Sequence, residues 1–250
     1  VRDWNAKRYW LVGASEGLGL ALARQVSAAG AEVILSARSA DRLADAVAAM
    51  PGRARAVPCD VGNPESVRAA AADVGDVDGV VWLAGVYWPM RAQDWNAEHA
   101  EAMCDINFTG CARVIGAVLP AMVRRNAGHI VITGSLSGFR GLPGAIGYAA
   151  SKAGCMVLAE SLHADLRETG ISVQVANPGF IRTRLTEKNT FAMPQVMQPE
   201  AAARHMFEHM NTGAFKTSFP SPFAWLFRWG QILPDWAWYR LFAPRPGGGH

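Results

Sequence analysis

Tyr148 and Lys152 stand four residues apart in the run Tyr148-Ala149-Ala150-Ser151-Lys152, a spacing that sets both on one face of a helix. A free phenol titrates at about 10, too high to exchange protons readily at neutral pH. An ammonium one turn away stabilises the phenolate and lowers that value. The pair is therefore suited to general acid–base work on an oxygen. Ser135 lies thirteen residues before Tyr148, at the end of the apolar run HIVITGS, where its hydroxyl can hold a substrate oxygen in place.

A second constellation is Gly13-Ala14-Ser15-Glu16-Gly17-Leu18-Gly19, which follows the apolar run Tyr9–Val12 and opens a helical pattern. Glycines there permit a tight turn and bring backbone N–H groups and a helix N-terminus close to an anion. The strand–loop–helix setting points to the pyrophosphate of a dinucleotide. The spacing GxxxGxG departs from GxGxxG, and the Gly-Lys-Ser/Thr ending of a triphosphate loop is missing. After the next apolar run comes Ser36-Ala37-Arg38-Ser39, with no carboxylate to take a ribose 2′-hydroxyl. Arg38 suits the 2′-phosphate of NADP instead. Glu16 adds a negative charge to the glycine loop and counts the other way, so NADP is favoured over NAD without excluding it.

These residues need elements to position them. Tyr9–Val12, AEVILSAR (31–38), RARAVPCDV (53–61), Asp78–Leu83, His129–Ser135 and Ile171–Asn177 read as six short apolar strands. Helical patterns alternate with them: one after the glycine loop ending at Gly30, then about 41–50, 64–72, 96–125, 146–169 and 199–210. AFKTSFP (214–220) supplies a seventh strand. Such alternation predicts an α/β fold: a single Rossmann-type doubly wound domain, its mainly parallel seven-stranded sheet flanked by helices. Ligands in such sheets bind beyond the carboxyl ends of the strands, where all the residues above fall.

Bulk composition sets bounds. The chain has 250 residues, half of them hydrophobic, which is enough for one buried core. Its 24 basic and 21 acidic residues are too balanced and scattered to point to nucleic acid. Cys59, Cys104, Cys111 and Cys155 form no CxxC pair and have no His partners at metal-ligand spacing, so they read as buried reduced thiols of a cytoplasmic protein, and no metal is expected. His129 and His163 read as structural or surface residues. VRDWNAKRYW has no apolar core of signal-peptide type, and the terminal GGGH is set aside as tag-like.

Taken together, GASEGLG at 13–19, Cys59-Asp60-Val61, Leu83-Ala84-Gly85, Asn107, Ser135, YAASK at 148–152 and Asn177-Pro178-Gly179 with Ile181 and Thr183 resemble the short-chain dehydrogenase/reductase family in order and spacing. The resemblance implies an NAD(P)-dependent enzyme that interconverts a carbonyl and an alcohol by hydride transfer. It implies a catalytic tetrad of Asn107, Ser135, Tyr148 and Lys152, with Asn107 interrupting a helix and holding a water for proton relay to Lys152. Lys152, with Tyr148, would also meet the nicotinamide ribose. Cofactor contacts are implied for Gly13, Ser15, Glu16, Gly17, Leu18, Gly19, Asp60, Val61, Ala84, Gly85, Pro178, Gly179, Ile181 and Thr183, beside Arg38. Leu83 replaces the family's Asn in Asn-Ala-Gly. A homodimer or homotetramer through helices 96–125 and 146–169 is implied as well. The alternative, a non-catalytic NADP-binding protein that regulates a partner, gives no reason for all four tetrad residues. Internal use of the cofactor, as in epimerases and dehydratases, would call for an added substrate domain.

The resemblance weakens after Leu185. Residues 186–212 are expected to include a substrate-covering segment, with Met193 and Met197 adaptable to an apolar ligand. Trp88, Met90, Leu136 and Phe180 fall on the substrate side, and a small to medium, rather apolar carbonyl or alcohol is the expected substrate. The tail 220–243 is dense in aromatics, yet Arg228, Gln231, Pro234, Asp235 and Arg240 break it well short of a membrane span. Three uses for it stay open and overlap: packing on its own or a neighbouring subunit, walling an apolar pocket, or lying on a membrane surface.

Overall fold

The computed structural model describes residues 2–189 and 193–242. Val1, three residues near the start of the expected covering segment (190–192), the last residue of the expected tail (243) and residues 244–250 with the tag-like GGGH lie outside the described residues.

Seven parallel strands form one sheet in the order β3-β2-β1-β4-β5-β6-β7. They are β1 (Arg8–Val12), β2 (Glu32–Ser36), β3 (Ala54–Ala56), β4 (Gly79–Trp82), β5 (Gly128–Thr133), β6 (Ile171–Pro178) and β7 (Lys216–Phe219). The order reverses between β1 and β4, which is the Rossmann-type switch point. Register brings the carboxyl ends level there: Val12 pairs with Ser36 on one side and with Trp82 on the other, and Trp82 with Ile132.

Alternation along the strands builds two core layers. Trp10, Val12, Val80 and Trp82 face α3 (Pro64–Val74), α5 (Gly110–Arg125) and α6 (Ile146–Leu166), where Val67, Val114, Met122 and Cys155 meet them. Tyr9, Leu11, Val33 and Val81 face α1 (Gly17–Ala28), α2 (Ala40–Ala48) and α7 (Pro199–Met210), through Leu22, Leu43 and Met206. Asn63 caps α3 by accepting from the Glu65 and Ser66 amides, and Pro64 occupies its first turn, as a helix start prefers.

Some boundaries differ from the sequence reading. The third strand is shorter than 53–61 because Pro58 offers no N–H, although the Val57 and Cys59 amides still reach the Leu35 and Ala37 carbonyls. The expected helix 96–125 is α4 (Ala97–Cys104), a π-turn at Asp105–Thr109 and then α5. By length and composition the run Ala97–Arg125 is apolar enough to cross a membrane, but its Cys111, Val114, Val118 and Met122 are buried against the sheet. Cys104 is exposed beside that turn, which corrects the reading of four buried thiols; Cys59, Cys111 and Cys155 are buried, and all four are free.

The tail folds into two helices, α8 (Ser221–Gly230) and α9 (Asp235–Phe242). Ala224, Phe227 and Trp238 form a small core with Leu136. Trp238 donates through Nε1 to the Gly141 carbonyl at 3.0 Å. The Arg140 guanidinium donates to the carbonyls of Gly230 (2.5 Å) and Leu233 (2.7 Å), pairs with Asp235 and lies 5.3 Å from the Trp238 ring. Two of the three uses left open by the sequence are thus seen together: the tail packs on its own subunit, and its inner face walls a cavity described below.

Candidate active site

The glycine loop leaves β1 at Gly13, whose φ of 93° is closed to ordinary side chains. A Cβ there would collide with the Ala84 backbone, and one on Gly19 with the Gly13 carbonyl oxygen. The close approach of α1 to β1 and of the loop to β4 therefore requires glycine. Glu16 stands at the N-cap of α1 without capping it, and the first turn carries no acid. The helix N–H groups and their partial positive charge are left for an outside anion. This cradle, glycine-lined and uncapped, fits a dinucleotide pyrophosphate.

A cleft runs from the cradle along the strand ends. Gly13, Ser15, Glu16, Gly17, Leu18, Gly19, Arg38, Asp60, Val61, Ala84, Gly85, Ser135, Tyr148, Lys152, Pro178, Gly179, Ile181 and Thr183 all line it. Thr183 brings its methyl against Gly17, so the loop after β6 faces the glycine loop across the cleft. Leu83, in place of the family's Asn, keeps its backbone on the sheet, its amide donating to the Val12 carbonyl at 2.8 Å.

Arg38 is exposed at the end of β2 and has no carboxylate partner among the described residues. Two further arginines line the cleft that sequence reasoning missed. Arg42 and Arg184 both pair with Glu16, each at 3.2 Å. Ser39 caps α2 by accepting from the Arg42 amide, which sets Arg42 in the first turn beside the glycine loop. That cap was the available signal for Arg42. Glu16 is thereby neutralised from both sides, which removes the electrostatic objection it raised to a 2′-phosphate.

Ser135 follows the last residues of β5 and accepts from the Ser137 amide at 3.2 Å. Tyr148 lies in the first turn of α6, and Lys152 one turn on is buried. Lys152 Nζ donates to the Thr133 carbonyl at 3.0 Å and stands 5.8 Å from the Tyr148 ring centre. Asn107 is fully buried within the π-turn. Its Oδ1 accepts from the Val86 amide at 2.7 Å, and its Nδ2 donates to the Val86 carbonyl and to Ser151 Oγ, each at 3.0 Å. The Asn107 side chain thus ties the segment after β4 to α6. Unlike Ser135, Tyr148 and Lys152, it does not line the cleft.

A second cavity, of about 440 Å³, opens beyond Tyr148 and is mostly apolar. Met90, Leu136 and Phe180 line it as expected, joined by Tyr87, Leu142, Phe223 and Phe227. Trp88 does not line it; its ring stacks on His99 at 4.7 Å under the Lys188 ammonium. Tyr87 takes that place, edge-on to Tyr148 with ring centres 5.0 Å apart, and burial pushes its phenol up to about 12. Of the expected covering segment, Thr186 and Asn189 reach the cavity, whereas α7 packs on α1 and Met197 joins that core layer. Ser135 and Tyr148 line both cavities.

Cys59 lines the cleft, and the buried Cys155 thiol donates to the Asn107 carbonyl at 3.1 Å. His129 is buried between the Tyr9 hydroxyl (2.9 Å) and Gln174 Oε1 (2.8 Å), and His163 stacks on Phe215. Among the described residues no group of His, Cys, Asp and Glu has the makings of a metal site.

The family model for short chain dehydrogenases matches residues 7–193. An uncharacterized oxidoreductase of Myxococcus xanthus is 38% identical over 232 residues, covering 90% of this chain and 92% of the relative. Dehydrogenase/reductase SDR family member 7B of Danio rerio is 33% identical over 189 residues, covering 70% of this chain and 61% of the relative. A short-chain dehydrogenase structure from Streptomyces avermitilis superposes with a TM-score of 0.83 at 29% identity, covering 95% of this chain and 96% of that one. A Burkholderia cenocepacia short chain dehydrogenase in complex with NADP gives 0.86 at 24% identity, covering 97% of this chain and 100% of that one, a likeness that speaks to the fold alone. The chain belongs to the short-chain dehydrogenase/reductase family and is an oxidoreductase of that family.

Proposed function

We propose that this enzyme interconverts a rather apolar ketone or aldehyde and its alcohol, with NADP(H) preferred and Tyr148 as the acid/base group. One observation carries the reading: Ser135 and Tyr148 stand where the dinucleotide-fitting cleft meets the apolar cavity. An oxygen held by Ser135 then has its carbon facing the cleft and its substituents in the cavity.

The nicotinamide, when bound, supplies the hydride in reduction and takes it in oxidation. In reduction Tyr148 gives its phenolic proton to the substrate oxygen, and Ser135 orients that oxygen. Lys152, held on the Thr133 carbonyl, places an ammonium beside the phenol and favours negative charge there once the proton has left. Asn107 fixes the segment after β4 against α6 and so keeps Gly85 close to Lys152. Arg38, with no carboxylate partner among the described residues, meets the 2′-phosphate through its planar fork.

The cavity sets the substrate class: its walls are Leu136, Leu142, Phe180, Phe223 and Phe227, and its volume suits a small to medium molecule. The four free thiols support a cytoplasmic setting. Exposed Phe108 and Val157, beside α5 and on α6, support pairing of two copies there, which light scattering after size exclusion checks. The test of the chemistry is NADPH consumption with a panel of ketones. Tyr148→Phe lowers that rate by roughly two to four orders of magnitude. An unchanged rate would overturn the role given to Tyr148.

A further inference from the structure

We propose that the outer face of the α8–α9 hairpin docks on the surface of an anionic phospholipid bilayer. The hairpin has two unlike faces. Inward, Ala224, Phe227 and Trp238 are buried against Leu136. Outward, Trp225, Trp229, Trp236, Tyr239 and Leu241 are exposed, and at the turn Ile232 is 73% and Trp236 72% exposed. An apolar crest of this kind is unusual on a free soluble surface. Indole and phenol rings suit the headgroup level of a bilayer, where an apolar body meets a polar edge.

Charge selects the occupant. The hairpin holds one acid, Asp235, and Arg140 neutralises it. Arg228 and Arg240 have no carboxylate partner among the described residues. Pairing of this face with a second copy of itself would bring four uncompensated arginines together with no free carboxylate in either hairpin. A bilayer containing anionic lipid supplies the counter-charge. The helices, of 10 and 8 residues, lie along such a surface and are too short to cross it. Phe223 and Phe227 on the same α8 wall the apolar cavity, so docking brings that cavity to the membrane. This last consequence rests on the proposed reaction; the docking does not.

The test is sedimentation with vesicles of phosphatidylcholine and phosphatidylglycerol, beside vesicles of phosphatidylcholine alone. The protein is expected to sediment with the mixed vesicles and less with phosphatidylcholine alone, and to be released by salt. A triple variant, Trp229→Ser, Ile232→Ser and Trp236→Ser, changes exposed side chains away from the cavity and keeps the native circular dichroism. Its partition falls by roughly a hundredfold, because three apolar side chains no longer leave water. The variant Arg228→Gln, Arg240→Gln loses the preference for phosphatidylglycerol and keeps the weaker binding. Wild-type protein that stays in the supernatant with mixed vesicles overturns the proposal. So does a lipid-free oligomer that the triple variant dissociates, since the occupant is then a second copy. Neither readout depends on turnover, so a failure of the proposed reaction leaves the docking result standing.

Discussion

Arg140→Ala isolates the clamp that holds the tail. The wild-type guanidinium donates to the carbonyls of Gly230 and Leu233, which end α8 and follow it, and it lies over Trp238. A hydrogen bond from a charged donor is worth about 1.5–3 kcal/mol where it is shielded. The Gly230 contact is part-buried and the Leu233 contact exposed, so the lower end applies to the first and about 1 kcal/mol to the second. The Asp235 carboxylate is largely exposed and adds little. The cation–π contact brings the sum to about 3 kcal/mol, or roughly a hundredfold in the opening equilibrium of the hairpin. Amide hydrogen exchange reads this directly: residues 221–242 exchange faster by that factor, while β1, β4 and β5 keep their protection. Because Phe223 and Phe227 wall the apolar cavity, KM for bulky apolar ketones rises while NADPH binding holds. Unchanged exchange in 221–242 would refute the clamp. Equal acceleration throughout the sheet would refute the claim that the hairpin opens separately from the core.

Other outcomes are equally definite. Arg38→Ala raises KM for NADPH by roughly ten- to a hundredfold and leaves KM for NADH unchanged; a wild-type preference for NADH would remove the role of Arg38. Gly19→Ala drives a Cβ into the Gly13 carbonyl oxygen, so calorimetry should find NADPH affinity reduced and stability lower by about 1–3 kcal/mol. Burial holds the His129 imidazole down at about 3, against 6.5 when unfolded, so the unfolded chain binds the extra proton first. His129 therefore costs the fold nothing above about pH 6.5 and destabilises it progressively as pH falls toward 3, by about 2 kcal/mol at pH 5. Urea titrations of wild type and His129→Gln at pH 7 and pH 5 check this, the variant showing the smaller loss.

The sequence carried the sheet and the reacting groups well, for local reasons. Apolar runs of strand length ended at Gly13, Arg38, Ser135 and Pro178, and a parallel sheet gathers such ends on one edge. Asn107 came from resemblance, because nothing in the residues around it announces a π-turn. Arg42 and Arg184 were missed because their shared partner, Glu16, is 26 and 168 residues away. Trp88 was placed on the substrate side, but its ring is drawn away to stack on His99 beneath the Lys188 ammonium, and Tyr87 with Met90 lines the cavity instead. The tail admitted three readings because its packing depends on Arg140, some 90 residues upstream, and on a carbonyl at Gly141. Hydrophobic pattern tells that a segment wants cover; it does not tell which distant loop provides it.

The line between the two cavities also divides the chain by order. What grips the cofactor-fitting cleft comes from residues before about 187, whereas the far wall of the apolar cavity, Phe223 and Phe227, belongs to a late appendage with its own small core. Such an arrangement is modular. The appendage can be exchanged or recarved, in the laboratory or by natural variation, while the strand ends that hold Ser135, Tyr148 and Lys152 keep their register. New substrate preferences then become accessible without rebuilding the proton-transfer machinery, provided that each new appendage still finds the guanidinium of Arg140.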